Sequence, residues 1–63
     1  MVNNFLVERY TRAIEEAKTA AALALLCARL SDNDDDREAH TNTYFFWLGH
    51  VERNTTRLIE VYA

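Results

Sequence analysis

The chain has 63 residues, a net charge of −3, an apolar fraction of 49 % and a single cysteine. A domain this small rarely buries enough apolar surface to be stable by itself, and one cysteine excludes an internal disulfide, so we expect the chain to associate with other copies or with a partner. The negative net charge argues against general binding of nucleic acid.

A first helix is predicted over about residues 4–31. Asn3 and Asn4 are suitable N-caps, and neither proline nor glycine interrupts the segment before Ser31. Apolar residues recur at alternating spacings of three and four, which is typical of a helix with a buried face. One stripe has this spacing: Leu6, Tyr10, Ala13, Ala17, Ala20, Ala24 and Cys27. A second, overlapping stripe consists of Tyr10, Ile14, Ala17, Ala21, Leu25 and Ala28. A third apolar face is formed near the end of the helix by Leu23, Leu26 and Leu30.

An acidic turn is predicted over residues 32–36. Ser, Asn and Asp side chains compete for backbone hydrogen bonds, so they favour turns and helix starts. Residues 31–38 carry a net charge of −4, and we expect Asp34, Asp35 or Asp36 to cap the second helix. The aspartate spacing matches the start of a calcium-binding loop, but Arg37 stands where that loop needs glycine and Thr43 where it needs glutamate. No metal site is therefore predicted.

A second helix is predicted over about residues 37–62. Its expected seam toward the first helix consists of Tyr44, Leu48, Val51, Thr55, Leu58 and Tyr62. Gly49 is the single weak point for helix stability, and we expect it to admit a close neighbour.

The predicted fold is all-α: one antiparallel two-helix hairpin that forms a single domain over residues 1–63. Five consecutive bulky residues in the second helix point in every direction around its axis, and one hairpin cannot cover all of them. These residues, here called the aromatic belt, are Tyr44, Phe45, Phe46, Trp47 and Leu48. We therefore expect hairpins to share a helical-bundle core in a homo-oligomer, either a dimer or a larger ring.

Basic residues are expected at the end of the hairpin that lies away from the acidic turn. Folding the chain about residue 34 brings Arg12 of the first helix level with Arg53 and Arg57 of the second. Arginine suits phosphate recognition, and Tyr10 beside them could stack on a base. The alternative is that these arginines pair with nearby glutamates. Because no nucleophile–base pair and no phosphate-binding glycine loop is present, we expect neither an enzyme nor a cofactor.

Several short motifs resemble the helical-hairpin sponge proteins of phages, which sequester the cyclic nucleotide signals of CBASS immunity and, in related forms, of Thoeris immunity. The matching segment extends from residue 10 to residue 53, and its motifs are Tyr10-Thr11, Ala17-Lys18, Arg37-Glu38, Phe46-Trp47 and Arg53. The resemblance implies an obligate oligomer with ligand pockets between subunits. By position it makes Tyr10, Lys18, Arg37 and Arg53 candidates for ligand binding.

We therefore interpret the chain as a non-enzymatic anti-defence sponge for a cyclic oligonucleotide or a relative of cyclic ADP-ribose. In this hypothesis Tyr10 stacks on the base, and the phosphates are neutralised by Lys18, Arg12, Arg53 and Arg57. The alternative is an oligomeric protein-interaction module that inhibits or adapts a partner protein through the acidic turn. An RNA-binding hairpin dimer is a third interpretation, which the net charge disfavours.

The expected location is the cytoplasm, in this hypothesis that of an infected bacterium. The longest apolar stretch, residues 20–28, is too short to span a bilayer, and no signal-peptide pattern is visible. Cys27 suits a reducing compartment, and we interpret it as a small buried apolar residue.

Overall fold

The computed structural model describes residues 2–63, which form two α-helices and no strand. Helix α1 comprises Asn4–Leu30 and helix α2 comprises Asp34–Tyr62. Because only residues 31–33 connect these long helices and the two pack along each other, they must run antiparallel. The Cα atoms extend over 51 × 13 × 10 Å, so the molecule is a thin rod. The predicted all-α helical hairpin is confirmed.

Each helix begins with an asparagine cap. Asn3 Oδ1 accepts a hydrogen bond from the backbone N–H of Leu6 at 3.2 Å, as expected for the start of α1. Asn33 caps α2, because its Oδ1 accepts from the backbone N–H of Asp36 at 2.8 Å. An aspartate cap was therefore the wrong prediction.

The connection between the helices is shorter than predicted, since α2 begins three residues before residue 37. The first turn of α2 contains Asp34, Asp35 and Asp36. Their negative charges stabilise the helix there, because they lie near the positive end of its dipole. The asparagine cap accounts for this shift, because it satisfies a backbone donor that would otherwise be left free at the helix start.

The core of the hairpin lies on α1 and consists mainly of alanine. The buried residues follow spacings of three and four: Ile14, Ala17, Ala21, Ala24 and Ala28. No residue of α2 is buried to the same degree, and its half-buried side chains cover the alanine face. Small side chains on one helix therefore face larger ones on the other, which allows close packing between the two axes. The core therefore combines Ala24 of the first predicted stripe with Ala28 of the second, while Leu25 is only half-buried.

The face that α2 presents to α1 differs from the predicted seam at three positions. Leu48, Thr55 and Tyr62 are exposed. The half-buried residues at seam spacing are His40, Tyr44, Trp47, Val51, Asn54, Leu58 and Val61. Both sets alternate spacings of three and four, so periodicity predicts either one, and only packing against α1 distinguishes them.

The aromatic belt divides between two environments. Tyr44 and Trp47 are half-buried and belong to the α2 seam, whereas Phe45 and Phe46 are 61 % and 56 % exposed. Leu48 is also exposed. One hairpin therefore leaves most of the belt in contact with solvent.

Helix α1 also has an exposed apolar face, on the side that points away from α2. Leu23, Leu26 and Leu30 lie there, and each is more than half exposed. Cys27 is exposed as well, so our interpretation of it as buried is wrong for the single chain. It lies outside the stripe that forms the hairpin core. Within residues 2–63, neither helix has an apolar segment long and uncharged enough to cross a membrane.

Candidate functional site

The basic residues line two open grooves at the end of the rod that lies away from the connection. The first, called here the α1 groove, has a volume of about 400 Å³ and is lined by Phe5, Glu8, Arg9, Arg12, Ala13 and Glu16. The second, the α2 groove, has a volume of about 350 Å³ and is lined by Glu52, Arg53, Thr56, Arg57 and Glu60. Each groove is formed by one helix only, so a single hairpin does not enclose a ligand between its helices.

The arginines of both grooves are free of ion pairs. Between residues 2 and 63, charged groups approach within 4 Å only at Lys18–Glu15 and at Arg37–Asp34. The guanidinium groups of Arg9, Arg12, Arg53 and Arg57 therefore have no carboxylate at ion-pair distance, although each groove contains two glutamates. The alternative in which the groove glutamates pair with these arginines is therefore not formed within residues 2–63.

Gly49 gives the Arg53 side chain room to lie along the surface of α2. A Cβ atom placed on Gly49 would be 3.1 Å from Arg53 Nη1, closer than side chains normally approach. The close neighbour expected at this glycine is therefore an arginine of the same helix, one turn further on. The same arginine lines the α2 groove.

Tyr10 lines neither groove. Its side chain is half-buried, at a position that both predicted stripes of α1 share. Phe5 is the aromatic residue of the α1 groove, and it is 69 % exposed. The sequence pattern did not single it out, because Phe5 lies near the N-terminus and outside the apolar stripes of α1.

Lys18 and Arg37 have partners of their own. Lys18 Nζ lies 3.8 Å from Glu15 Oε1 on the exposed surface of α1. Arg37 donates to Asp34 Oδ1 at 2.9 Å and to the backbone carbonyl of Ser31 at 3.2 Å, so it ties the connection to the start of α2.

The six predicted ligand-binding residues do not meet in one hairpin. Sixteen residues of helix separate Arg37 from Arg53, which corresponds to about 24 Å along the axis. Arg12, Arg53 and Arg57 do lie at the same end, in two separate grooves. A site that used all six would need residues from more than one chain.

A compact cluster of rings on α2 was not predicted. The ring centroids of Phe46 and His50 are 4.8 Å apart, and those of Trp47 and His50 are 5.3 Å apart. Phe46 and Trp47 are themselves 5.3 Å apart in an edge-to-face arrangement. The available signal was the spacing of four between Phe46 and His50, which brings side chains together on a helix.

The described residues contain no group of three or more His, Cys, Asp or Glu side chains placed to hold a metal ion. Comparison with protein-family models, with curated proteins and with solved structures gives no match for this chain.

Proposed function

We propose that this chain is a non-enzymatic sponge that binds an anionic nucleotide signal in clefts between hairpins. The observation that carries the proposal is the set of four arginines without ion-pair partners at one end of the rod. Desolvated or unpaired guanidinium groups bind phosphate through paired N–H donors, and a cyclic oligonucleotide offers two or more phosphates.

The α1 groove supplies both elements of nucleotide recognition. Arg9 and Arg12 provide the phosphate donors, and Phe5 beside them provides an exposed ring on which a base can stack. In this proposal Phe5 takes the stacking role that the sequence pattern assigned to Tyr10. Stacking tolerates any base, so the groove selects a ligand by its charge and shape more than by the identity of its bases.

A cleft between hairpins suits the ligand better than either groove alone. Each groove is open and contains as many glutamates as arginines, so its net charge is zero. A second hairpin would cover the ligand, exclude water and add further donors, among them Lys18 or Arg37. The exposed apolar side chains of α2 would drive that association.

The mechanism is sequestration by mass action. A bound signal molecule cannot activate its effector, and no bond is made or broken. The proposal places the protein in the cytoplasm of an infected bacterium, where such a signal would act. The resemblance to phage sponge proteins supports this setting.

The proposal is tested by thermal unfolding of the pure protein with a panel of cyclic dinucleotides, cyclic trinucleotides and cyclic ADP-ribose isomers. The protein is first refolded from denaturant to remove any ligand carried from expression. A ligand at about 100 times its Kd stabilises the protein by about 2.7 kcal/mol, which raises Tm by about 10 °C or more for a domain of this size. No shift with any member of the panel would contradict the proposal.

Two variants test the assigned residues. Arg53→Ala and Arg12→Ala are expected to abolish the ligand-dependent shift while leaving the oligomer unchanged. Arg29→Ala is the matched control, because Arg29 is exposed and lies near the other end of α1, about 26 Å along the axis from Arg12. Equal ligand-dependent shifts in Tm in all three variants would show that neither Arg12 nor Arg53 binds the ligand.

The rival function, a protein-interaction module, is favoured by a different observation. All residues from 32 to 38 are exposed, and they include five of the ten acidic residues of the chain. Asp35→Asn together with Asp32→Asn should leave ligand binding intact in a sponge but weaken an acidic interaction module. The arginine variants should have the opposite pattern.

A further inference from the structure

Helix α2 carries a second stripe, next to the seam, whose large apolar side chains are exposed. Its members alternate spacings of four and three along the whole helix: Thr41, Phe45, Leu48, Glu52, Thr55, Ile59 and Tyr62. Each member follows a seam residue by one position, so at 100° per residue this outer stripe lies about 100° around the helix from the seam. Phe45, Ile59 and Tyr62 are each more than 60 % exposed, and Leu48 and Thr55 are exposed as well.

The single hairpin has too small a core to account for a stable fold. Its five buried residues are one isoleucine and four alanines, whereas ten larger apolar side chains are exposed among the described residues. Alanine buries little surface, and a chain of this size usually depends on association, a metal or disulfides. The outer stripe contributes four of these ten exposed side chains, Phe45, Leu48, Ile59 and Tyr62.

We propose that the outer stripe packs against the same stripe of a second copy, with the two α2 helices antiparallel. The two-fold axis passes between Arg53 and Asn54. In this register Phe45 faces Tyr62 of the second copy, and Leu48 faces Ile59 of the second copy. At the centre Glu52 faces Thr55 of the second copy. Every large apolar side chain of the stripe therefore meets another large apolar side chain.

Charge selects the antiparallel orientation over the parallel one. A parallel pair would place Glu52 opposite Glu52 of the second copy. The two carboxylates would then repel each other in the middle of an apolar contact. It would also bring together the two acidic segments 31–38, each with a net charge of −4. In the antiparallel pair these segments lie at opposite ends of the assembly, and no carboxylate of the stripe faces another.

The proposed contact is a small interface. In this register the two α2 helices overlap from residue 45 to residue 62, about 26 Å along the axis. With the 13 Å width of the rod, this overlap has a projected area of about 340 Å² per partner before side chains are included. Standard interfaces bury about 800 Å² per partner, so we expect a dimer at the weak end of the range, and its dissociation constant is read from a dilution series.

The first test compares the masses of two lysine variants by light scattering across a dilution series. The wild-type chain is expected at twice 7.3 kDa or more. Ile59→Lys should raise the dissociation constant about tenfold or more, because each interface would then contain two desolvated ammonium groups. Leu23→Lys is the matched control: Leu23 is 59 % exposed, close to the 63 % of Ile59, but lies on α1 outside the stripe.

The register is tested by disulfide cross-linking in a Cys27→Ser background. An equal mixture of Leu48→Cys and Ile59→Cys chains should give a disulfide-linked heterodimer under mild oxidation. Either variant alone should stay uncross-linked, because a disulfide requires the two Cα atoms to lie within about 7 Å of each other. Efficient cross-linking of either variant with itself would establish a parallel pair and overturn the proposal. Far-UV circular dichroism identifies variants that are still helical.

Two further outcomes would overturn the inference. One is a wild-type chain that remains at 7.3 kDa at every concentration. The other is a loss of association in Leu23→Lys but not in Ile59→Lys. The inference deepens the proposed function, which rests on an oligomer, but these readouts need no ligand. A dimer that binds no nucleotide would therefore refute the sponge and retain the interface.

Discussion

Replacing Ile14 with alanine should remove most of the stability that the hairpin core provides. Ile14 is 8 % exposed and is the only buried residue of the described chain that is larger than alanine. Truncating a buried isoleucine to alanine usually costs about 2–5 kcal/mol, and the seam here is narrow, with solvent close on both sides. We therefore expect a loss near the lower limit, about 2 kcal/mol.

That loss corresponds to a fall in Tm of about 8–16 °C for a domain of this size. The measurement is thermal unfolding followed by far-UV circular dichroism. All variants are compared at one chain concentration, because association makes Tm depend on concentration. Ile14→Val should give an intermediate loss of about 1 kcal/mol.

Leu23→Ala is the control, since Leu23 is exposed on the outer side of α1 and alanine is the better helix former. Its Tm should change by less than about 3 °C, which corresponds to about 0.5 kcal/mol. A fall in Leu23→Ala as large as that in Ile14→Ala would refute the reasoning. It would mean that the α1 surface facing away from α2 contributes as much to stability as the seam between the helices.

Three further substitutions test local features of α2 in the same unfolding assay. Gly49→Ala should raise stability by about 0.5–1 kcal/mol, because the helix gains propensity and only the flexible guanidinium of Arg53 must move. Asn33→Ala should lower it by about 1 kcal/mol, because the backbone N–H of Asp36 loses its cap. Arg37→Gln should lower it by less than about 1 kcal/mol, because the hydrogen bonds that it removes are exposed.

Each of these substitutions has an outcome that would contradict its reasoning. A lower Tm in Gly49→Ala would mean that the Arg53 side chain cannot move aside. Asn42→Ala is the control for the cap, because Asn42 is exposed in the interior of α2 and should be neutral or slightly stabilising. If Asn33→Ala were equally neutral, Asn33 would not be the cap. A loss of several kcal/mol in Arg37→Gln would show that Arg37 does more than join the connection to α2.

The helices and their pairing were predictable because their signals are local or periodic. Asn3 precedes an uninterrupted helical stretch, and the alanine stripe of α1 repeats over four turns. The cap of α2 was not predictable from propensity, since residues 32–36 contain five candidates in a row. The hydrogen bond from Asp36 to Asn33 decides between them, and it depends on where the connection lets the helix begin.

The face of α2 was ambiguous for a different reason. Leu48 and Trp47 belong to two stripes of equal period, and each stripe contains several large apolar residues. Which stripe faces α1 depends on packing against alanines, a property of the pair of helices that neither segment has alone.

The candidate site was predictable in position but not in composition. The antiparallel pairing places Arg12 and Arg53 at one end, as the sequence predicts. Whether those arginines pair with glutamates depends on side-chain conformations, which spacing along a helix does not determine. The role of Phe5 also depends on its side-chain conformation, because its ring must point toward the groove rather than toward the seam.

The thinness of the rod has a consequence for how this protein can change over generations. Among residues 2–63 only five are buried, and four of these are alanine, so packing forbids few substitutions. Elsewhere a replacement alters a surface more than it alters the fold. Lineages of such a hairpin can therefore diverge quickly in sequence while the shape persists, and a few exchanges along one stripe suffice to acquire or lose a binding partner.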